Sequence, residues 1–161
     1  MDIKQRQLEQ TEAFVKKMLA EAEAGHDWWH IHRVRNLAVY LAGKEGAGVF
    51  VVELAALLHD ISDAKFNGGN DESGAIIASE FLASVEVSAN DIDHIAQIIR
   101  NISFKGGGQK PLISTIEFFV VQDADRLDAM GAIGVARAFS YGGFKGREMF
   151  NPLVPPQMNM T

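Results

Sequence analysis

Apolar positions recur along most of the chain at three- and four-residue spacings, the period of an α-helix. Over about Ile3–Ala24 the pattern is carried by Leu8, Phe14, Val15, Met18 and Leu19, and Gly25 supplies a stop. Asp27 is placed to cap a second helix. In it His30, Val34, Leu37, Ala38 and Leu41 fall on one stripe. Gly43, Gly46 and Gly48 mark the next break. Val49–Asp60 is apolar almost all round, as a buried helix is. Its Val-Phe-Val-Val opening also suits a strand, but its length and Glu-Leu-Ala-Ala-Leu-Leu core favour helix. A loop at Asn67–Glu72 leads into a helix over Glu72–Val85. Ser88 caps a fifth, with Ile92, Ile95, Ala96 and Ile99 on one face. Phe104–Lys110 reads as a loop. After Pro111, Ser114 and Glu117 match a capping box, predicting a buried helix through Leu127, with strand as the competing reading. The prolines of the tail predict an extended end over 151–161. The sum is a single all-α domain over residues 1–150.

Composition narrows the function. The 161 residues are 47% hydrophobic and 22% charged, an ordinary balance for one globular domain. Cysteine is absent, which excludes disulfides, thiol nucleophiles and thiolate metal sites. The net charge of −6 argues against a nucleic acid polymer as partner, because phosphate backbones need a basic footprint. A small anionic substrate held by local cations or a metal is compatible with it. The polar start lacks the apolar core of a signal peptide, and no run approaches the roughly 20 apolar residues of a membrane span. The expectation is a cytoplasmic protein without a membrane partner.

Histidines and carboxylates carry the chemistry. His30 shares the inward stripe of the second helix, whereas His32 lies roughly 200° round from it. His59-Asp60 ends a strongly apolar helix, where a carboxylate is costly to bury unless paired or bound to a cation. Asp123, Asp125 and Asp128 crowd the end of another apolar helix. Taken singly, each is also explained by surface ion pairs or an exposed helix end. Two histidines and two aspartates brought together would form a mixed nitrogen–oxygen site for a divalent metal such as manganese, iron, zinc or magnesium.

In that order, His30-x-x-Arg33-Val34, His59-Asp60 and Ala124-Asp125-Arg126-Leu127 resemble the motifs of the HD-domain metal-dependent phosphohydrolases. The likeness spans about residues 20–150. The surrounding text, including GHDWWHIHRV, ELAALLHDISDAKF, NISFKGGG and VVQDADRLDAMGAIG, resembles a bacterial subgroup of small HD hydrolases. Some members of that subgroup are nucleoside-triphosphate pyrophosphohydrolases. The resemblance implies an HD-type helical bundle with the metal site between its central helices. It places the metal ligands on His30, His59, Asp60 and Asp125, with Asp125 preferred over Asp123. Relatives with two metals add two histidines before the final aspartate. Only His94 lies in that interval here, so one ion is expected: Mn2+ first, with Mg2+, Fe2+, Zn2+ or Ni2+ as alternatives. Relatives of this kind continue for several more helical segments, so the tail would open a missing one.

The expected reaction is hydrolysis of a nucleoside triphosphate to monophosphate and pyrophosphate. A nucleoside monophosphate phosphatase, a phosphodiesterase and a non-catalytic metal- or nucleotide-binding module are the alternatives. Asp63 is the candidate proton acceptor and Asp128 the reserve. Arg33, Lys65, Lys105 and Arg126 are candidate phosphate contacts. His94 is a candidate substrate contact, second-row donor or plain surface residue. Trp28 and Trp29 suit a stacked base, the core or an interface. The partner is a small phosphorylated molecule, with a homodimer also allowed.

Overall fold

In the computed structural model of the chain, residues 2–20, 27–61, 71–102 and 112–155 are described. They form seven helices and no strand: α1 (Ile3–Met18), α2 (Trp28–Glu45), α3 (Val49–Leu58), α4 (Asp71–Ser84), α5 (Ala89–Ile102), α6 (Ile116–Asp128) and α7 (Gly131–Phe144). The all-α reading holds at both places where strand competed.

The most apolar segment becomes the centre. Val52, Leu54, Ala55, Ala56, Leu57 and Leu58 of α3 are buried, and α3 packs against α1, α2, α5 and α6. The α2 stripe buries His30, Val34 and Ala38, with Leu37 and Leu41 packed partly against the core. From α6, Phe118, Val121 and Ala124 close the other side. These three central helices bring the first turn of α2 and the last turns of α3 and α6 to one end of the bundle. Phe118 is fully buried, so Phe118→Ala is expected to cost about 3–5 kcal/mol, read by urea denaturation.

Capping chemistry sets the boundaries. Asp27 caps α2, its carboxylate accepting from the His30 N–H. Gly46 ends α2 in the left-handed region at φ 74°, which glycine adopts without steric cost, and the Gly46 and Ala47 N–H groups both turn back to the Ala42 carbonyl. The Ser88 hydroxyl accepts from the Asp91 N–H at the start of α5.

Four expectations are corrected. The first helix ends at Met18 rather than Ala24, because Leu19 leaves helical geometry; Gly25 lies outside the described residues. Thr115, not Ser114, caps α6, accepting from the Phe118 N–H, so no Ser114–Glu117 box closes. Glu117 instead accepts from the Gly48 N–H, clamping the start of α6 to the start of α3. Residues Asn151–Val154 turn back on themselves, with the Val154 N–H donating to the Asn151 carbonyl, where an extended run was expected. The seventh helix was not anticipated. It hangs on α6, and none of its residues is buried.

Away from the site, Arg35 bridges Glu53 of α3 and Glu12 of α1, with contacts of 2.6 Å to each. Arg35→Ala is expected to cost about 1.5–3 kcal/mol near neutral pH. A hydrogen bond from Lys16 and then Arg35 hold Glu12 below its ordinary value of 4.5, against the pull of burial. Its contribution is therefore full above 4.5 and lost as the pH falls through the lowered value. Denaturation of both proteins at pH 7 and pH 3 should show the difference shrinking in acid.

Candidate metal centre

Three helix ends supply the site. His30 sits in the first turn of α2, 1% exposed, oriented inward by the cap at Asp27. His59 follows the last turn of α3. Its Nδ1–H donates to the Ala56 carbonyl at 2.8 Å, which leaves Nε2 as the metal-facing nitrogen. That Nε2 is the one buried side-chain nitrogen or oxygen among the described residues without a hydrogen-bond partner. Asp60 comes next in the turn beyond α3. Asp125 lies in the last turn of α6, and Asp123 two residues before it is exposed.

The donor atoms converge. Asp125 Oδ1 is 3.5 Å from His30 Nε2 and 3.7 Å from His59 Nε2. Asp60 Oδ2 is 3.8 Å from His30 Nε2. Ligand atoms of His30, His59 and Asp60 all lie within 4.8 Å of one another. The orphaned His59 Nε2, the paired imidazoles and the two carboxylates fit a divalent cation. Geometry thus favours Asp125 over Asp123.

The titrating groups are strongly coupled. Burial, then the charge of His59, pushes His30 down to about 4, against the hydrogen bond to Asp128. Burial also works against a charged His59, but the carboxylates of Asp125 and Asp60 outweigh it and raise His59 to about 9. Burial would raise Asp125; His59, then His30, hold it below the carboxylate range.

The other candidates are dispersed. Asp128 lies behind His30: its Oδ2 is 2.8 Å from His30 Nδ1. Arg33 donates to both its oxygens at 2.6 and 3.0 Å, and Arg137 Nη1 donates to Oδ2 at 3.1 Å. Burial would raise Asp128, yet Arg33 and His30 hold it below the carboxylate range. Asp128 is thus engaged by three cation-capable donors, a geometry that weighs against the reserve role as proton acceptor. Arg126 is exposed in the last turn of α6. His94 is elsewhere: its Nε2 is 2.9 Å from the hydroxyl of Thr115, the opposite end of α6. Ten residues of helix put that end about 15 Å along the axis from Asp125. Asp63, Lys65 and Lys105 lie outside the described residues. Arg137 is the residue that the sequence reading missed.

A helical bundle whose central helix ends in His-Asp, facing a histidine and an aspartate from two neighbours, brings together the donors of a divalent-metal site. The HD domain family matches residues 28–130, and the chain belongs to it. Bacillus subtilis YpgQ is 40% identical over 148 residues, covering 90% of this chain and 71% of YpgQ. Its crystal structure in complex with ADP matches with a TM-score of 0.76 at 38% identity, over 93% of this chain and 72% of that one. An HD-superfamily hydrolase from Bacillus thuringiensis matches at 0.74 and 43% identity, over 97% of this chain and 75% of that one. A Lactobacillus plantarum protein matches at 0.83 and 37% identity, over 97% of this chain and 72% of that one. The chain is a metal-dependent phosphohydrolase of the HD superfamily. No described helix is long and apolar enough to cross a membrane.

Proposed function

We propose that the enzyme hydrolyses a nucleoside triphosphate to the monophosphate and pyrophosphate, in the cytoplasm and with one Mn2+ ion. The observation that carries the reading is the group of His30, His59 and Asp60 around the orphaned His59 Nε2, with Asp125 Oδ1 3.5 and 3.7 Å from the two imidazoles. The ADP bound by YpgQ supports a nucleotide over other phosphate esters. His30, His59, Asp60 and Asp125 would hold the ion. When bound, such an ion supplies Lewis acidity toward a phosphoryl oxygen and lowers the pKa of water.

The rest falls to the chain. The Ala56 carbonyl fixes the His59 ring by accepting the hydrogen bond from its Nδ1–H. Buried walls from α2 and α3 raise the strength of every charge interaction at the site. Arg33 is more than a third exposed and reaches Asp128 through Nε and Nη2, so its outer edge is available to a phosphate oxygen. Arg126, Lys65 and Lys105 are proposed as further phosphate contacts, and Asp63 as proton acceptor. Residues 1–150 are read as the catalytic domain.

Metal-stripped protein incubated with nucleoside mono- and triphosphates, with and without Mn2+, tests the reading. Monophosphate plus pyrophosphate, only with metal, is expected. Orthophosphate as the sole product would move the assignment to a phosphatase, and no turnover with any divalent metal would overturn it.

A further inference from the structure

Helix α7 is held unlike the other helices. Its larger apolar residues Ile133, Val135 and Phe139 point outward, each about half exposed. Its part-buried residues are Gly134, Arg137, Tyr141 and Gly142, and of these Gly134 and Arg137, three apart on one face, meet the end of α6. A Cβ at Gly134 would run into the Ala129 carbonyl, so glycine there permits the close approach of α7 to the end of α6. The approach aims Arg137, 20% exposed, at Asp128. Asp128 is the carboxylate that meets His30 Nδ1.

We infer that Arg137 is a positioning residue: it holds Asp128 so that Asp128 accepts the hydrogen bond from His30 Nδ1–H, which keeps the hydrogen on Nδ1 and presents the Nε2 lone pair to the metal. The geometry leaves one assignment. Arg33 and Arg137 both donate to Asp128, so Asp128 is an acceptor, and the His30 nitrogen facing it must carry the hydrogen. The opposite nitrogen, Nε2, faces Asp60 and Asp125. His59 is oriented the same way by a backbone carbonyl, which needs no support. His30 depends on a side chain, and that side chain is steadied by two arginines from different helices. Arg33 belongs to the helix of His30 itself; Arg137 makes the orientation depend on α7 being docked. The inference rests on the metal-centre reading.

Two readouts test it on the whole chain. The first is the imidazole 15N–1H correlation spectrum of metal-free protein, with His30 assigned by its loss in His30→Gln. Wild type should show the proton on Nδ1, and Arg137→Ala should shift His30 toward a tautomer mixture. The second is the Mn2+ dissociation constant, from the electron paramagnetic resonance of free ion. Loss of a ligand's own partner weakens metal binding by about 10–100-fold; Arg137 acts one step further out, with Arg33 still on Asp128, so Arg137→Ala is expected to weaken binding by about 10-fold, the lower end of that range. Arg137→Lys should restore part of it, and Arg147→Ala should change neither readout. A His30 proton on Nε2, or an Arg137→Ala protein with wild-type ring shifts and affinity, would overturn the inference alone. A wild-type protein that binds no metal would overturn the metal centre, and the inference with it.

Discussion

Asp60→Ala is expected to abolish Mn2+-dependent hydrolysis while leaving the helical bundle folded. Asp60 sits in the turn beyond α3, outside the core cluster, and its carboxylate faces His30 Nε2 at 3.8 Å. Its removal deletes no buried apolar contact, so the far-ultraviolet circular dichroism should be that of wild type. The affinity for Mn2+ should fall by more than the about 10–100-fold that loss of an outer partner causes, because a direct ligand is gone. Asp125→Ala should behave alike, whereas Asp123→Ala, at an exposed position of the same helix, should retain both affinity and turnover. Equal losses in the two α6 variants would show that the last turn of α6 matters for shape rather than for a ligand.

Metal should also stabilise the fold, and more so as the pH rises. At a hundred times its dissociation constant a ligand adds about 2.7 kcal/mol, or roughly 5–10 °C in Tm for a domain of this size. The ion must displace the proton that the Asp125 and Asp60 carboxylates hold on His59, raised to about 9 from its ordinary value of 6.5. A group whose folded pKa is raised stabilises the metal-free protein fully below 6.5 and loses that contribution as the pH climbs through 9. The metal-free protein therefore loses stability in that window, while bound metal occupies the nitrogen in place of the proton. The Tm difference with and without Mn2+ should widen between pH 6.5 and pH 9. A difference that stays flat would mean that His59 carries no proton to displace.

The four residues proposed as ligands were legible because each sits at a feature the sequence displays. His30 lies on an apolar stripe just inside a cap, and His59-Asp60 closes the most apolar segment. Asp125 follows a buried run. Helix period placed His30 inward, and the resemblance to the ordered HD motifs, not periodicity, gathered the other three and selected Asp125 over Asp123. The boundary of α6 was harder, since Ser114 and Thr115 are both capping residues and only packing selects between them. Glu117 left its expected partner for the Gly48 N–H, 69 positions away. The role of Asp128 depends on Arg33, 95 positions earlier, and no local pattern reveals that pairing. Helix α7 was invisible for a physical reason. Its larger apolar residues are exposed and the residues it presents to the end of α6 are Gly134 and Arg137, the reverse of the pattern by which buried helix faces are recognised. The residue missed there is the one that reaches back to the metal centre.

The central claim is that His30, His59, Asp60 and Asp125 hold one divalent ion. An anomalous difference map from crystals of the protein soaked in Mn2+ tests it directly. The account predicts a single strong peak contacting both Nε2 atoms and a carboxylate oxygen from each aspartate. A peak elsewhere, two peaks within the cluster, or none at saturating Mn2+ would contradict it.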